Sequence, residues 1–140
     1  MQIRPYLEGN EADVVALWQA CGLTRPWNDP HKDIARKLTV QRELFLVGEL
    51  DGRVVASVMA GYEGHRGWVN YLAVAPGLQG RGHGAALMQH VEQAFLALGC
   101  PKVSLLVRSG NSAVLAFYRR LGYAADEAVP LGKRLVQDGP

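Results

Sequence analysis

Val69-Asn70-Tyr71-Leu72-Ala73-Val74-Ala75-Pro76 and, after Gly77-Leu78, Gln79-Gly80-Arg81-Gly82-His83-Gly84 are the residues from which the fold is read. Residues 69 to 75 are largely apolar and β-branched or aromatic, which predicts a strand that Pro76 stops. Three glycines in five positions follow, and then a helical pattern from Ala85 to Leu98 with apolar residues at Leu87, Met88, Val91, Phe95 and Leu98. Gly99 stands where a helix C′ residue belongs, and Pro101 prevents continuation. The unit is strand, glycine loop, helix.

Glycines at the start of a helix let the backbone approach a ligand closely and adopt positive φ. The first helical turn leaves unpaired N–H groups pointing at the loop, and the helix dipole favours an anion there by about 0.3–1 kcal/mol. A phosphate or pyrophosphate suits that place, and Arg81 and His83 alternate with the glycines around it. The plain alternative is a turn that lets a helix pack tightly on a sheet. Gly77 and Gly82 have Walker spacing, but His83-Gly84 follow in place of Lys-Ser or Lys-Thr. Gly80 to Ala85 match G-x-G-x-x-A, yet four residues separate them from the strand. Residues 104 to 108 also lack the acidic group that a dinucleotide ribose needs.

Gln79-x-x-Gly82-x-Gly84 after Leu72-Ala73-Val74-Ala75-Pro76 resembles the acyl-coenzyme A signature of GNAT-type N-acetyltransferases. Asn111, Tyr118 seven positions on, and Gly122-Tyr123 resemble that family's second motif. Arg25 to Pro30 and Gly61 to Gly67 are similar to segments of its small single-domain bacterial members. The resemblance implies an α/β fold with a mixed central sheet, antiparallel in its N-terminal part, and a splayed parallel strand pair flanking the glycine-loop helix. Residues 1–140 would then be a single N-acetyltransferase domain using acetyl-CoA and no metal.

Around that centre the other elements follow from local signals. Gln2 to Tyr6 read as a strand, and Asn10 as the cap of a helix with apolar Val14, Trp18 and Cys21 that ends at Gly22. Asp29 before Pro30 starts a short helix with Ile34 and Leu38 inward. Asp29 and Trp27 are either a cap and a packing residue, or part of an acceptor groove as the family's first helices imply. Leu44–Leu50 and Arg53–Tyr62 form a hairpin about Asp51-Gly52, and their continuous apolarity places them centrally. Lys102 to Val107 predict a strand parallel to 69–75. Ser112 to Leu121 predict a helix, and Tyr123–Pro130 with Lys133–Val136 predict closing edge strands.

The chain has 140 residues, 49% apolar and 20% charged, with net charge +2. Its cations are scattered, so no nucleic-acid surface is expected. Cys21 and Cys100 have no metal spacing and read as reduced thiols. No apolar run reaches membrane length, and the N-terminus has no signal-peptide shape, so a cytoplasmic protein without membrane contact is expected. Either a monomer or a homodimer is compatible.

In the family pattern, backbone groups of Leu72 and Val74 would pair with the pantetheine arm. Gln79, Gly80, Arg81, Gly82, His83 and Gly84 would hold the pyrophosphate, and Asn111 would bond the arm from the other side. Tyr118 would protonate the departing thiolate, although its stripe with Val114 and Leu121 equally suits a core residue. The acceptor is a small-molecule or peptide amine. Neither strand beside the loop carries a carboxylate, which leaves Glu63, His65 or Tyr71 through a water as candidate bases. Without a base, an α-amine is easier to use than a lysine-like amine by about 3 kcal/mol, from reference pKa values of about 7.7–8.0 and 10.4. Two other readings stay open: a non-catalytic coenzyme A sensor and a nucleotide-binding module.

Overall fold

Asp51 and Gly52 sit at φ +52° and +76°, the two left-handed positions that a two-residue hairpin turn requires. They join strands β2 (Phe45–Leu50) and β3 (Arg53–Tyr62) in the computed structural model, which describes residues 1–139. Strands β1 (Gln2–Pro5), β4 (Gly67–Val74) and β5 (Val103–Leu105) complete a sheet in the order β1-β2-β3-β4-β5. Every pairing is antiparallel except β4 with β5, which is parallel. Helices α1 (Glu11–Ala20) and α2 (Pro30–Lys37) precede the hairpin, and α3 (His83–Ala97) and α4 (Ser112–Arg120) flank β5 in sequence.

The sheet separates two apolar layers, as the continuous apolarity of the hairpin requires. Side chains alternate from Leu44 into β2: Leu44 and Leu46 join Leu87, Met88, Val91 and Phe95, whereas Phe45 and Val47 join Val14, Trp18 and Ile34. Gly67 is needed for that packing, because a Cβ there would lie 2.7 Å from the Phe95 ring.

Several sequence expectations shift. The N-terminus of α3 lies at His83, with Gly82 in the N-cap position at φ +87°, so Gly84 belongs to the first helical turn. A Cβ on Gly84 would come within 3.2 Å of Phe117, so this glycine also permits close approach of α3 and α4. Asn10 precedes α1, but its Oδ1 accepts from Leu7 N and Arg4 instead of capping the helix. Asp29 does cap α2, accepting from His31 N at 2.9 Å. The strand expected over 102 to 107 pairs only from Val103 to Leu105.

The two closing edge strands do not form. Residues 124 to 139 carry no strand, and Val129, Leu131, Leu135 and Val136 are exposed. Pro130 lacks an N–H for a ladder, and ion pairs draw the arm elsewhere. Lys102 binds Asp126 at 2.9 Å, and Asp138 is buried against α2. Its carboxylate accepts from Arg36 Nη2 at 2.5 Å and from Asp29 N at 3.0 Å, with Arg134 at 3.2 Å. Those partners, Arg36 first, hold the Asp138 carboxyl well below the usual range.

Asp138→Ala is therefore expected to free the arm while the sheet stays folded. Tryptic cleavage at Lys133 and Arg134 should rise about tenfold, with a small fall in melting temperature. Because the folded carboxyl is lowered, the anchor is intact above the unfolded value near 3.9. Its contribution declines progressively as pH falls below about 4 and is gone only at the much lower folded value, a gradual rise in cleavage that an acid-stable protease would read.

Candidate active site

β4 and β5 pair at Gly67–Val103, Trp68–Ser104 and Val69–Leu105, and there the ladder ends. Beyond it Asn70 to Val74 run on without a partner on that side, while Leu106, Val107 and Arg108 leave the sheet. The space between them is the floor of a groove of about 740 Å³, within the size range of small-molecule sites. Leu72 lines one wall, and Leu105 to Arg108, Asn111, Val114 and Tyr118 line the other. Arg25, Trp27, Asn28, Asp33 and Lys37 line the far side.

The parting of the strands coincides with a β-bulge. Ser57 faces Ala73 and Met59 faces Asn70, so Val58 alone opposes both Tyr71 and Leu72. Tyr71 takes φ +53°, a conformation that costs a non-glycine residue about 1–2 kcal/mol. Three contacts hold it there, and a fourth joins two of its partners. Its ring stacks on Trp18 at 3.8 Å, and Ser57 Oγ donates to its carbonyl at 3.1 Å. Trp18 Nε1 donates to Ser57 Oγ at 2.9 Å, and the Tyr71 hydroxyl donates to Asp33 Oδ2 at 2.6 Å.

The bulge also sets the edge of β4. Ala75 N bonds Val55 O, so by strand alternation the backbone groups of Val74 and Leu72 face away from β3 toward the gap. The Val74 carbonyl already accepts from Gln79 Nε2 at 3.0 Å and from Cys21 Sγ at 3.3 Å. Gln79 thus folds the glycine loop back onto β4. Gly80 and Gly82 are left-handed at φ +78° and +87°, and a Cβ on either would meet nothing within 4 Å. The loop presents an open backbone face, with Arg81 exposed and His83 partly so.

On the opposite wall Asn111 does two things: its Oδ1 caps α4 at Val114 N, 3.2 Å away, and its side chain lines the groove. Tyr118 is 8% exposed, packs edge-on to Phe117 and Tyr123, and also lines the groove. It is thus a core residue that also borders the groove. Burial pushes its hydroxyl up to about 12, so it stays protonated at neutral pH.

The candidate bases fare differently. Glu63 accepts from Arg66 N at 2.8 Å in an exposed turn, and neither it nor His65 lines the groove. Tyr71 is pushed up to about 12 by burial and by its bond to Asp33, so it donates a proton and does not take one. A carboxylate does line the groove, from α2. Asp33 accepts from Tyr71, from Asn28 Nδ2 at 3.3 Å and from Arg36 Nη1 at 3.3 Å. The signal for it was its place beside Ile34, at the rim of the inward stripe of α2, where an acidic side chain meets the groove edge.

The model of the Acetyltransferase (GNAT) family matches residues 12–123, which run from α1 through the glycine loop to just beyond the Tyr118 helix. An acetyltransferase of Yersinia enterocolitica is 47% identical over 138 residues, 99% of this chain and 98% of its own length. Two crystal structures share the fold. The aminoglycoside antibiotic 6'-N-acetyltransferase AAC(6')-IG of Acinetobacter haemolyticus matches at TM-score 0.76 and 16% identity, covering 98% of this chain and 100% of its own. The ribosomal-protein-S18-alanine N-acetyltransferase of Escherichia coli matches at 0.72 and 22%, covering 86% and 76%. With a parted parallel strand pair, a glycine loop following β4 and near-complete overlap with an acetyltransferase, the chain belongs to the GNAT acetyltransferase family.

Proposed function

We propose that residues 1–140 act as one acetyl-CoA-dependent N-acetyltransferase domain, in which a primary amine attacks the thioester directly. The observation that carries this reading is the parting of β4 and β5 after Val69 and Leu105, which leaves a free backbone edge facing a protonated tyrosine. Acetyl-CoA fits the residues present: the edge suits an extended amide-bearing arm, and the open face of the glycine loop suits its phosphates. When bound, it supplies an acyl carbon with a thiol leaving group.

Each residue's part follows from its chemistry. Leu72 and the Val74 N–H pair with the arm, since the Val74 carbonyl is already engaged. The N–H groups of Gly80 to Gly84 hold the pyrophosphate, Arg81 and His83 flank its charge, and Gln79 keeps the loop folded. The Asn111 amide nitrogen, which the cap does not use, bonds the arm from the other wall. The ammonium first gives a proton to solvent water. The neutral amine then forms the C–N bond as the C–S bond breaks, the Tyr118 hydroxyl meets the developing thiolate, and the nitrogen's second proton passes through water to restore Tyr118. With that hydroxyl at about 12 and a thiol near 8.5, full transfer to a free thiolate is uphill by roughly 5 kcal/mol. Tyr118 therefore acts first as a hydrogen-bond donor to the negative sulfur, and the proton follows as the thiol departs.

The amine enters from the α2 side, where Asp33 draws its ammonium form. A carboxylate with a reference pKa near 4 holds an ammonium well but removes its proton poorly. The preference for an amine of low pKa, an α-amine of a peptide or amino-acid-like molecule, therefore stands. The two structural neighbours act, by their names, on an aminoglycoside and on an alanine of ribosomal protein S18, so the fold itself does not choose the acceptor.

Gly82→Val places a branched side chain at positive φ on the open loop face, and acetyl-CoA affinity by calorimetry should fall at least about tenfold in a folded protein. Unchanged affinity would remove the loop from the site. Tyr118→Phe should lower kcat by about 10²–10⁴-fold with acetyl-CoA affinity retained. In the wild type the tyrosine-dependent step should stay flat from pH 7 to about 10, because the hydroxyl ionises only near 12. Asp33→Asn should raise the KM of the amine by about 10–100-fold, the worth of a hydrogen bond to a charged group, with a smaller change in kcat. Steady-state thiol release measures both.

A further inference from the structure

Asp33 and Lys37 stand four residues apart on α2, one helical turn, and both line the groove. An acid four residues before a base is the favourable arrangement for a helical ion pair. The pair is not made. Asp33 accepts from Tyr71, Asn28 and Arg36, which leaves one of a carboxylate's roughly four acceptor positions for a substrate ammonium. Lys37 Nζ instead donates to the Ala60 carbonyl at 2.5 Å, and among the described residues no carboxylate lies within 4 Å of it.

We infer that the acceptor carries an anionic group beside its amine, as a free amino acid does, with Lys37 holding the carboxylate while Asp33 holds the ammonium. This rests on the transferase reading above and narrows its acceptor from amines in general to amino acids. Position argues for it. Ala60 pairs with Val69, so Lys37 sits at the end of β4 opposite the glycine loop, away from any pyrophosphate. Charge argues for it too. An ammonium has three donors, and a backbone carbonyl takes one of them without neutralising the charge. Lys37 is part-buried, and desolvation lowers its hold on the proton against a weak pull from Glu43, so a bound anion would relieve an uncompensated cation. Of the other groove cations, Arg36 is paired with Asp33 and Asp138, whereas Arg25, which like Lys37 meets only carbonyls, and Arg108 on the β5 wall are not one helical turn from Asp33. Two opposite charges one turn apart bracket the two charges that an α-amino acid bears on one carbon. A peptide N-terminus or an aminoglycoside offers no such carboxylate.

The test compares each of the common amino acids with its own carboxamide, using acetyl-CoA, thiol release and rates expressed per neutral amine. Wild type, Lys37→Met and Lys37→Arg are assayed side by side. The free acid should exceed its amide in kcat/KM by at least about tenfold. In Lys37→Met that ratio should fall to about twofold or less, mainly through KM for the acid, and Lys37→Arg should retain part of it. Amides acetylated as well as acids would overturn the inference, as would a preference that survives in folded Lys37→Met. A lower melting temperature with an unchanged acid-to-amide ratio would mark Lys37 as a staple for Ala60 and equally overturn it. If acetyl-CoA binds and no amine of either kind is acetylated, the transferase reading fails and takes this inference with it.

Discussion

One extra residue in β4 governs the rest of the molecule. Because Val58 alone faces Tyr71 and Leu72, the strand changes phase in its middle and Tyr71 is forced into a left-handed conformation. The cost of about 1–2 kcal/mol is offset by a ring stack worth about 0.5–1.5 and hydrogen bonds worth about 1 each. Those contacts reach α1 through Trp18, β3 through Ser57 and α2 through Asp33. A single backbone irregularity thus fixes both walls of the groove: the edge of β4 on one side and the acidic face of α2 on the other.

The same constraint explains how so small a sheet opens a groove. The parallel ladder holds β5 only as far as Val69 and Leu105, and beyond it α4 swings Asn111 and Tyr118 across the gap. Tyr118 is kept protonated by the apolar layer that α3 and α4 bury, so the packing that stabilises the fold also sets the hydroxyl's chemistry. Gly84 serves both ends in the same way, admitting Phe117 beside the loop that faces solvent.

What the sequence revealed were the features written in local chemistry. Asp51-Gly52, Asp29-Pro30, Gly99 and Gly122 mark turns and caps whose φ values bear them out. The apolar runs of β2 and β3 foretold a sheet covered on both faces. Features that depend on distant partners were hidden. No local pattern shows that Tyr71 is bulged, since a tyrosine in an apolar strand reads as an ordinary strand residue. Asp33 looked like one charge among several on a polar helix until Tyr71 reached it. The final arm carries short apolar runs, Ala128-Val129 and Leu135-Val136, that read locally as edge strands. It is held away from the sheet by Asp138, whose partners lie about a hundred positions earlier in the chain.

The central claim is that the unpaired stretch of β4 and the loop after it receive acetyl-CoA through their backbone amides. Residue-resolved NMR hydrogen exchange, with and without coenzyme A, tests it most directly. Slowed exchange confined to the amides of Leu72, Val74 and Gly80 to Gly84, with β1 and β2 unaltered, is the predicted result. Protection elsewhere with these amides unchanged would contradict the account.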